Sequence, residues 1–174
     1  MASTHTRLTD FDNPASNAGW RMVNDDVMGG RSLGDVSFAD GVMAFYGSIN
    51  TNGGGFSSVR FDLEPGALAG ASTIQLRVRA DTRGPYRLMV SDDLPTRQRR
   101  ISHQHNLELD PATPPRDWQT VAIDLSDLTP SWRGNRVRAA PLDPTRAVEL
   151  GLILGDGRDG PFRLEIDWID IVRP

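Results

Sequence analysis

The sequence predicts an all-β domain, a β-sandwich of the jelly-roll kind, and three observations carry that prediction. Apolar residues recur with period two in several short segments, as they do when one face of a strand is buried. No segment sustains a helical period of 3.6. The 17 Gly and 12 Pro fall between the apolar segments at strand-like spacing, where they act as turn signals.

Nine strands are expected. Val36–Phe38 and Val42–Tyr46 flank Ala39-Asp40-Gly41, a hairpin with its turn at Asp-Gly. Phe56–Phe61 follows the triple glycine 53–55. In Ile74–Ala80, residues Ile74, Leu76, Val78 and Ala80 share one face and Gln75, Arg77 and Arg79 the other. Tyr86–Val90, Arg99–Leu109, Trp118–Leu125 and Val148–Leu154 follow. Phe162–Val172 changes parity at Trp168, which predicts a bulge there. Asp110–Arg116 and Ser131–Pro144 are the longest irregular stretches, and the second is long enough for a binding loop. Residues 1–10 are expected to be a flexible N-terminus and residues 11–174 one domain. Trp20, Trp118 and Trp168 are expected in or near the core.

Composition excludes several functions. The chain of 174 residues has a net charge of −4, the wrong sign for general nucleic-acid binding. It has no Cys, so disulfides and thiolate chemistry are excluded, and no Lys, so Schiff-base and P-loop lysine chemistry are too. No apolar run approaches a membrane span, so direct membrane insertion is not expected. MASTHTRLTD is no secretory leader. The expectation is a cytoplasmic, bacterial protein.

Two glycine-rich segments stand apart from the strand pattern. The first is Trp20-Arg-Met-Val-Asn-Asp-Asp-Val-Met-Gly-Gly-Arg-Ser32; the second is Gly47-Ser-Ile-Asn-Thr-Asn-Gly-Gly-Gly-Phe-Ser-Ser-Val-Arg60. Both resemble the signatures of the complex I intermediate-associated protein 30 family, the first almost letter for letter. Weaker echoes at Tyr86-Arg-Leu, Trp118, Ser131-Trp-Arg-Gly134 and 160–167 extend the resemblance over about residues 11–172. The resemblance implies a galactose-binding-domain-like jelly roll, related in shape to family 11 carbohydrate-binding modules. It also implies an assembly role, since mitochondrial members of the family assist assembly of respiratory complex I. Ala80-Asp-Thr-Arg-Gly-Pro85 departs from the family's usual turn, and the stretch 95–105 is more basic than its pattern.

The residues themselves point to a site without a catalytic constellation. Asp25 and Asp26 are neighbours, so a strand would aim them at opposite faces, a poor arrangement for a carboxylate pair. The structural reading has one accept backbone N–H bonds at the Gly29-Gly30 turn while the other pairs with Arg31 or Arg60. On that reading Asp26→Ala lowers thermal stability. A structural Ca²⁺ held by these carboxylates is the metal alternative. The triple glycine either cradles an anion or packs against Asn24–Ser32. His103 and His105 share a strand face but lie too far apart for an ordinary Zn²⁺ pair, and 156–160 reads as a hairpin turn. No G-x-S-x-G elbow is present, and the chain is read as non-catalytic. Candidate binding residues are Asn24, Asp25, Asp26, Arg31, Ser32, Arg60, Arg77, Arg79, Tyr86, Trp132 and Arg133. Arg with Tyr or Trp on one face can hold a protein partner, a glycan or a small anionic ligand. The first expectation is therefore a protein-interaction, assembly-factor domain that binds a subunit of a larger complex. The alternative is a carbohydrate-binding domain, for which two Tyr and four Trp are few.

Overall fold

The computed structural model describes residues 2–94 and 100–174. The first strands are β1 (Thr4–Thr9), β2 (Trp20–Asn24), β3 (Leu33–Ala39), β4 (Val42–Ile49), β5 (Ser57–Asp62), β6 (Thr73–Ala80) and β7 (Tyr86–Asp92). They are followed by β8 (Ser102–Asn106), β9 (Gln119–Asp124), β10 (Thr129–Trp132), β11 (Asn135–Arg136), β12 (Ala147–Leu154) and β13 (Gly160–Arg173). All pairings are antiparallel. One sheet runs β3-β4-β13-β6-β9, with β1 added on β13; the other runs β11-β10-β8-β7-β12-β5-β2. The chain crosses between sheets repeatedly, which makes the sandwich a jelly roll.

The core lies between the sheets and is built by the predicted alternation. Ile74, Leu76 and Val78 of β6 face Leu88 and Val90 of β7 and Leu150, Leu152 and Leu154 of β12 within one buried cluster. Each such side chain contributes about 1.5–3 kcal/mol when fully buried. The Asp40-Gly41 turn is as expected: φ is 53° and 70°, and Ala39 pairs with Val42. A positive φ at both central residues is the type I′ geometry that Asp-Gly tolerates best.

The bulge in β13 is also present, with the register shifting between Ile166 and Trp168. Phe162, Leu164 and Ile166 face the core before it and Ile169 and Ile171 after it. The shift turns Trp168 outward, where Arg7 lies 4.9 Å above its ring. Trp118 is likewise only half-buried, and of the three expected tryptophans Trp20 alone joins the core.

Residues 1–10 depart from expectation. Thr4–Thr9 pairs with Ile169–Arg173, and Arg7 bonds Asp170 at 2.5 Å. The reason lies in β4, which covers β13 only from Gly160 to Ile166. Beyond the bulge that edge needs another partner for its backbone groups, and β1 supplies it. The 156–160 segment is not a hairpin turn, because it joins β12 to β13 in opposite sheets. The expected strand from Arg99 is Ser102–Asn106 among the described residues; Arg99 itself lies outside them.

Candidate functional site

The family-like segments meet at one buried carboxylate. After β2 the chain makes a 3₁₀ turn, Asp25–Met28, which closes on Gly29 at φ 83°. The turn lifts Asp25 out of strand geometry and buries it completely. Its Oδ1 accepts Ser32 N–H at 2.9 Å, and its Oδ2 accepts Ser32 Oγ–H at 2.6 Å and Gly55 N–H at 2.6 Å. Phe56 N–H adds a longer bond at 3.3 Å. Burial pushes this carboxyl up, but the bonds from Ser32, Gly55 and Phe56 outweigh it and hold it below the usual carboxylate value.

The same carboxylate explains two of the glycines. A Cβ on Gly30 would stand 2.3 Å from Asp25 Cγ, and one on Gly54 would stand 2.4 Å from Asp25 Oδ2. Neither position needs a positive φ, so the requirement is space alone. Gly54→Ala is expected to displace Asp25 and cost about 3 kcal/mol. A urea titration checks this, and an unchanged midpoint would mean that the two segments are not joined through Asp25.

Asn24 extends the junction by accepting Ser57 Oγ–H at 2.6 Å. The Asp26 side chain takes no part: it is exposed and, among the described residues, accepts only Val27 N–H, at 3.0 Å. Arg31 is exposed and makes no ion pair among the described residues. Arg60 pairs with Glu149, not with Asp25. The counter-charge expected for the aspartates is therefore supplied by backbone and hydroxyl donors. Those donors bond both Asp25 oxygens. No cluster of metal-ligating side chains forms among the described residues; His103 is buried with Nε2 on Ala140 O, and His105 Nδ1 meets Asn106 O.

The expected arginine face divides between the two sheets. Arg77 and Arg79 lie on the outer face of β6, where they bond Asp167 and Glu165 of β13 and cover the Trp118 ring at 5.1 and 4.5 Å. Their charge is spent within the sheet. Tyr86 points into the core, fully buried, with its hydroxyl on Asp81, so it offers no contact surface.

Arg60, Trp132 and Arg133 lie on the other sheet, where a cleft of about 560 Å³ crosses the outer face. One wall is the Asp25–Met28 turn, which presents Val27 and Met28 beside Gly54-Gly55. The opposite wall is the β10–β11 hairpin. It turns at Arg133-Gly134 with φ 49° and 78° and carries Trp132 under the Arg133 guanidinium at 4.8 Å. This hairpin is the strand-forming part of the long 131–144 stretch. The floor is the outward parity of β5, β7, β8 and β12: Arg60, Arg87, Met89, Gln104 and Ile153.

Among the described residues four arginines line the cleft, Arg60, Arg87, Arg100 and Arg133, and no carboxylate does. Glu149, 1% exposed, lies beside them and pairs with Arg21 at 2.5 Å, Arg60 at 3.5 Å and Arg100 at 3.8 Å. One carboxylate shared by three guanidinium groups leaves the cleft positive. Sequence reading missed Glu149, Gln104 and the two rim side chains Val27 and Met28. Strand parity held a signal for the floor, since Arg87 and Met89 alternate with Tyr86 and Leu88. It held none for the rim.

A family model, complex I intermediate-associated protein 30, matches residues 9–166. The chain belongs to the complex I intermediate-associated protein 30 family. The family-defining segment thus has two parts: Asp25 ties it down, and Val27-Met28 faces the cleft. Solved structures with this fold include the family 11 carbohydrate-binding module of the Clostridium thermocellum cellulase Lic26A-Cel5E. It superimposes with a TM-score of 0.69 at 14% identity, covering 100% of this chain and 97% of that one. A family 11 carbohydrate-binding module from Clostridium thermocellum in complex with a β-1,3-1,4-mixed-linked tetrasaccharide gives 0.69 and 14%, over 99% and 98%. An agarase, AgWH50C, matches with a TM-score of 0.64 at 12% identity, over 98% of this chain and 25% of the agarase. These likenesses establish the galactose-binding-like jelly roll as the fold. Among the described residues no helix is long and apolar enough to cross a membrane.

Proposed function

We propose that this member of the complex I intermediate-associated protein 30 family is a non-catalytic binding domain of the assembly-factor kind. Its cleft would hold a segment of a protein partner belonging to a larger complex. The observation that carries this reading is the exposure of Val27 and Met28, at 70% and 47%, on the rim of a positive cleft. Large exposed apolar side chains beside a cleft mark an interaction surface, and methionine adapts to irregular apolar partners. Family membership supports an assembly role.

The lining favours a polypeptide over a glycan. Sugar rings stack on flat aromatic faces, whereas Val23, Val27, Met28, Met89 and Ile153 offer aliphatic surface suited to apolar side chains. The carbohydrate reading keeps two supports, the fold shared with carbohydrate-binding modules and Trp132 on the cleft wall.

Site-specific photo-crosslinking separates the two. With the crosslinker at Met28 or at Gly134, both lining the cleft, the same partner subunit is expected. With it at Thr120, exposed on the opposite sheet, none is expected. A crosslink only from Thr120, or a glycan-array hit without any protein crosslink, would overturn the reading.

A further inference from the structure

Among the described residues, the cleft floor contains a cation without an anion. Arg87 lies on the outward parity of β7, between Ile153 of β12 and Asn106 of β8. It is half-buried and has no hydrogen bond or ion pair to any described residue. Its guanidinium lies over the backbone of Gly155, where a Cβ would come within 3.3 Å of Nη2. Burial alone pushes this group below its ordinary value, with no neighbouring carboxylate acting against that. Desolvating a charge without a partner is unfavourable, and Arg60, Arg77, Arg79 and Arg83 all have carboxylates.

A second unsatisfied group lies beside it. Gln104 of β8 is 8% exposed, and its Oε1 has no hydrogen-bond partner, while its Nε2 donates to Ser102 Oγ at 2.8 Å. Gln104 pairs across the strands with Met89, so it is a diagonal, same-face neighbour of Arg87. Both line the same cleft. A buried amide oxygen without a donor and a half-buried guanidinium without an acceptor are complementary halves of one ligand: an anion with an adjacent hydrogen-bond donor.

We propose that Arg87 and Gln104 form a carboxylate subsite, and that the partner segment presents an Asp or Glu side chain to it; this rests on the protein-binding reading above. Arg87 takes the carboxylate through its guanidinium fork, and Gln104 Oε1 accepts a backbone N–H of the same segment. Apolar residues flanking the acid then contact Met89 and Ile153 on the floor and Met28 on the rim. The arginines that line the cleft among the described residues select the same charge, while Glu108 and Asp127 lie in the adjoining hollow that Arg87 and Gln104 share.

The test uses the full chain and a positional-scanning library of 12-residue synthetic peptides. The wild type is expected to select Asp or Glu next to apolar residues. Arg87→Gln should weaken the selected peptides at least about tenfold and bind their Glu→Gln counterparts no worse than the wild type does. Gln104→Leu should weaken binding without abolishing the acidic preference. Far-ultraviolet circular dichroism and melting of each variant check the fold, and Arg87→Lys, which keeps the charge, should recover part of the affinity. Peptides selected without an acidic preference, or held equally by the wild type and a folded Arg87→Gln, overturn the subsite and leave the protein-binding reading standing. A library with no binder, together with a glycan-array hit, overturns both.

Discussion

Asp25→Ala is expected to remove roughly 4 kcal/mol of stability, the largest effect of any single aspartate at the candidate site. The substitution leaves the N–H groups of Ser32, Gly55 and Phe56 facing a void, and the Ser32 hydroxyl loses its charged acceptor. Buried donors without partners cost about 1–3 kcal/mol each, and water entering the gap would recover part of that. For a domain of this size the melting temperature should fall by roughly 8–16 °C. Asp26→Ala is the control. The sequence reading assigned it the large effect, but its side chain is exposed and bonds only its own neighbour, so a change within about 0.5 kcal/mol is expected. The reverse ranking would show that Asp25 does not join the glycine segments.

The same carboxylate gives a pH signature. Its value in the folded protein lies below the ordinary one, so its contribution is present at neutral pH. That contribution is lost as pH falls below the ordinary carboxylate range toward the folded value. Wild type should therefore lose stability on acidification more steeply than Asp25→Asn, which has no proton to take up at this site. Parallel melting temperatures for the two from pH 6 to pH 3 would contradict the assignment.

Arg83→Met carries the second large effect. Arg83 makes a two-pronged pair with Asp156, at 2.9 Å from Nε and 2.8 Å from Nη2. It also donates to the carbonyls of Arg158 at 2.7 Å and Pro161 at 3.0 Å. These bonds tie together two crossovers between the sheets, the β6–β7 connection and the β12–β13 connection. The Asp156 side chain is only 2% exposed, so removing the guanidinium leaves its buried charge with the longer side-chain contacts of Arg158 at 3.3 Å, at a cost of about 3 kcal/mol. Burial pushes the Asp156 carboxyl up, but Arg83 and its neighbours hold it below its usual value; its stabilisation too is therefore present at neutral pH and lost in acid. Replacing both partners, Arg83→Met with Asp156→Leu, should be less damaging than Arg83→Met alone. If the double variant is the worse of the two in urea denaturation, the stranded-charge account fails.

The Arg83 knot occupies the Ala80–Pro85 stretch, where the sequence resemblance leads one to expect a departure from the family's turn. The loop spends its cation, Arg83, on backbone carbonyls and a buried aspartate side chain. The proposed binding cleft lies on the other sheet of the sandwich. There Arg60 and Arg133 face the cleft with Arg87, whereas Arg77 and Arg79 do not.

Local pattern determined what depends on neighbours along the chain. Alternation in Ile74–Ala80 and Val148–Leu154 revealed strands, because side chains of a strand alternate between faces whatever lies across from them. Asp40-Gly41 revealed its turn, because few other pairs accept two positive φ values. The parity change near Trp168 revealed a bulge. The glycine segments revealed the family. What the tertiary structure alone decided depends on residues distant in sequence. The strand at Thr4–Thr9 exists because β13 has an uncovered edge, a property of β4's length. Asp25, not Asp26, is the buried acid because a 3₁₀ turn interrupts the strand, and Gly55 and Phe56 arrive from 30 residues away. Arg77 and Arg79 are satisfied and Arg87 is not, although all three alternate identically within their strands. Which sheet a strand joins, and which carboxylates stand across from it, is set by the order of strands in the sandwich, and no local pattern carries that information.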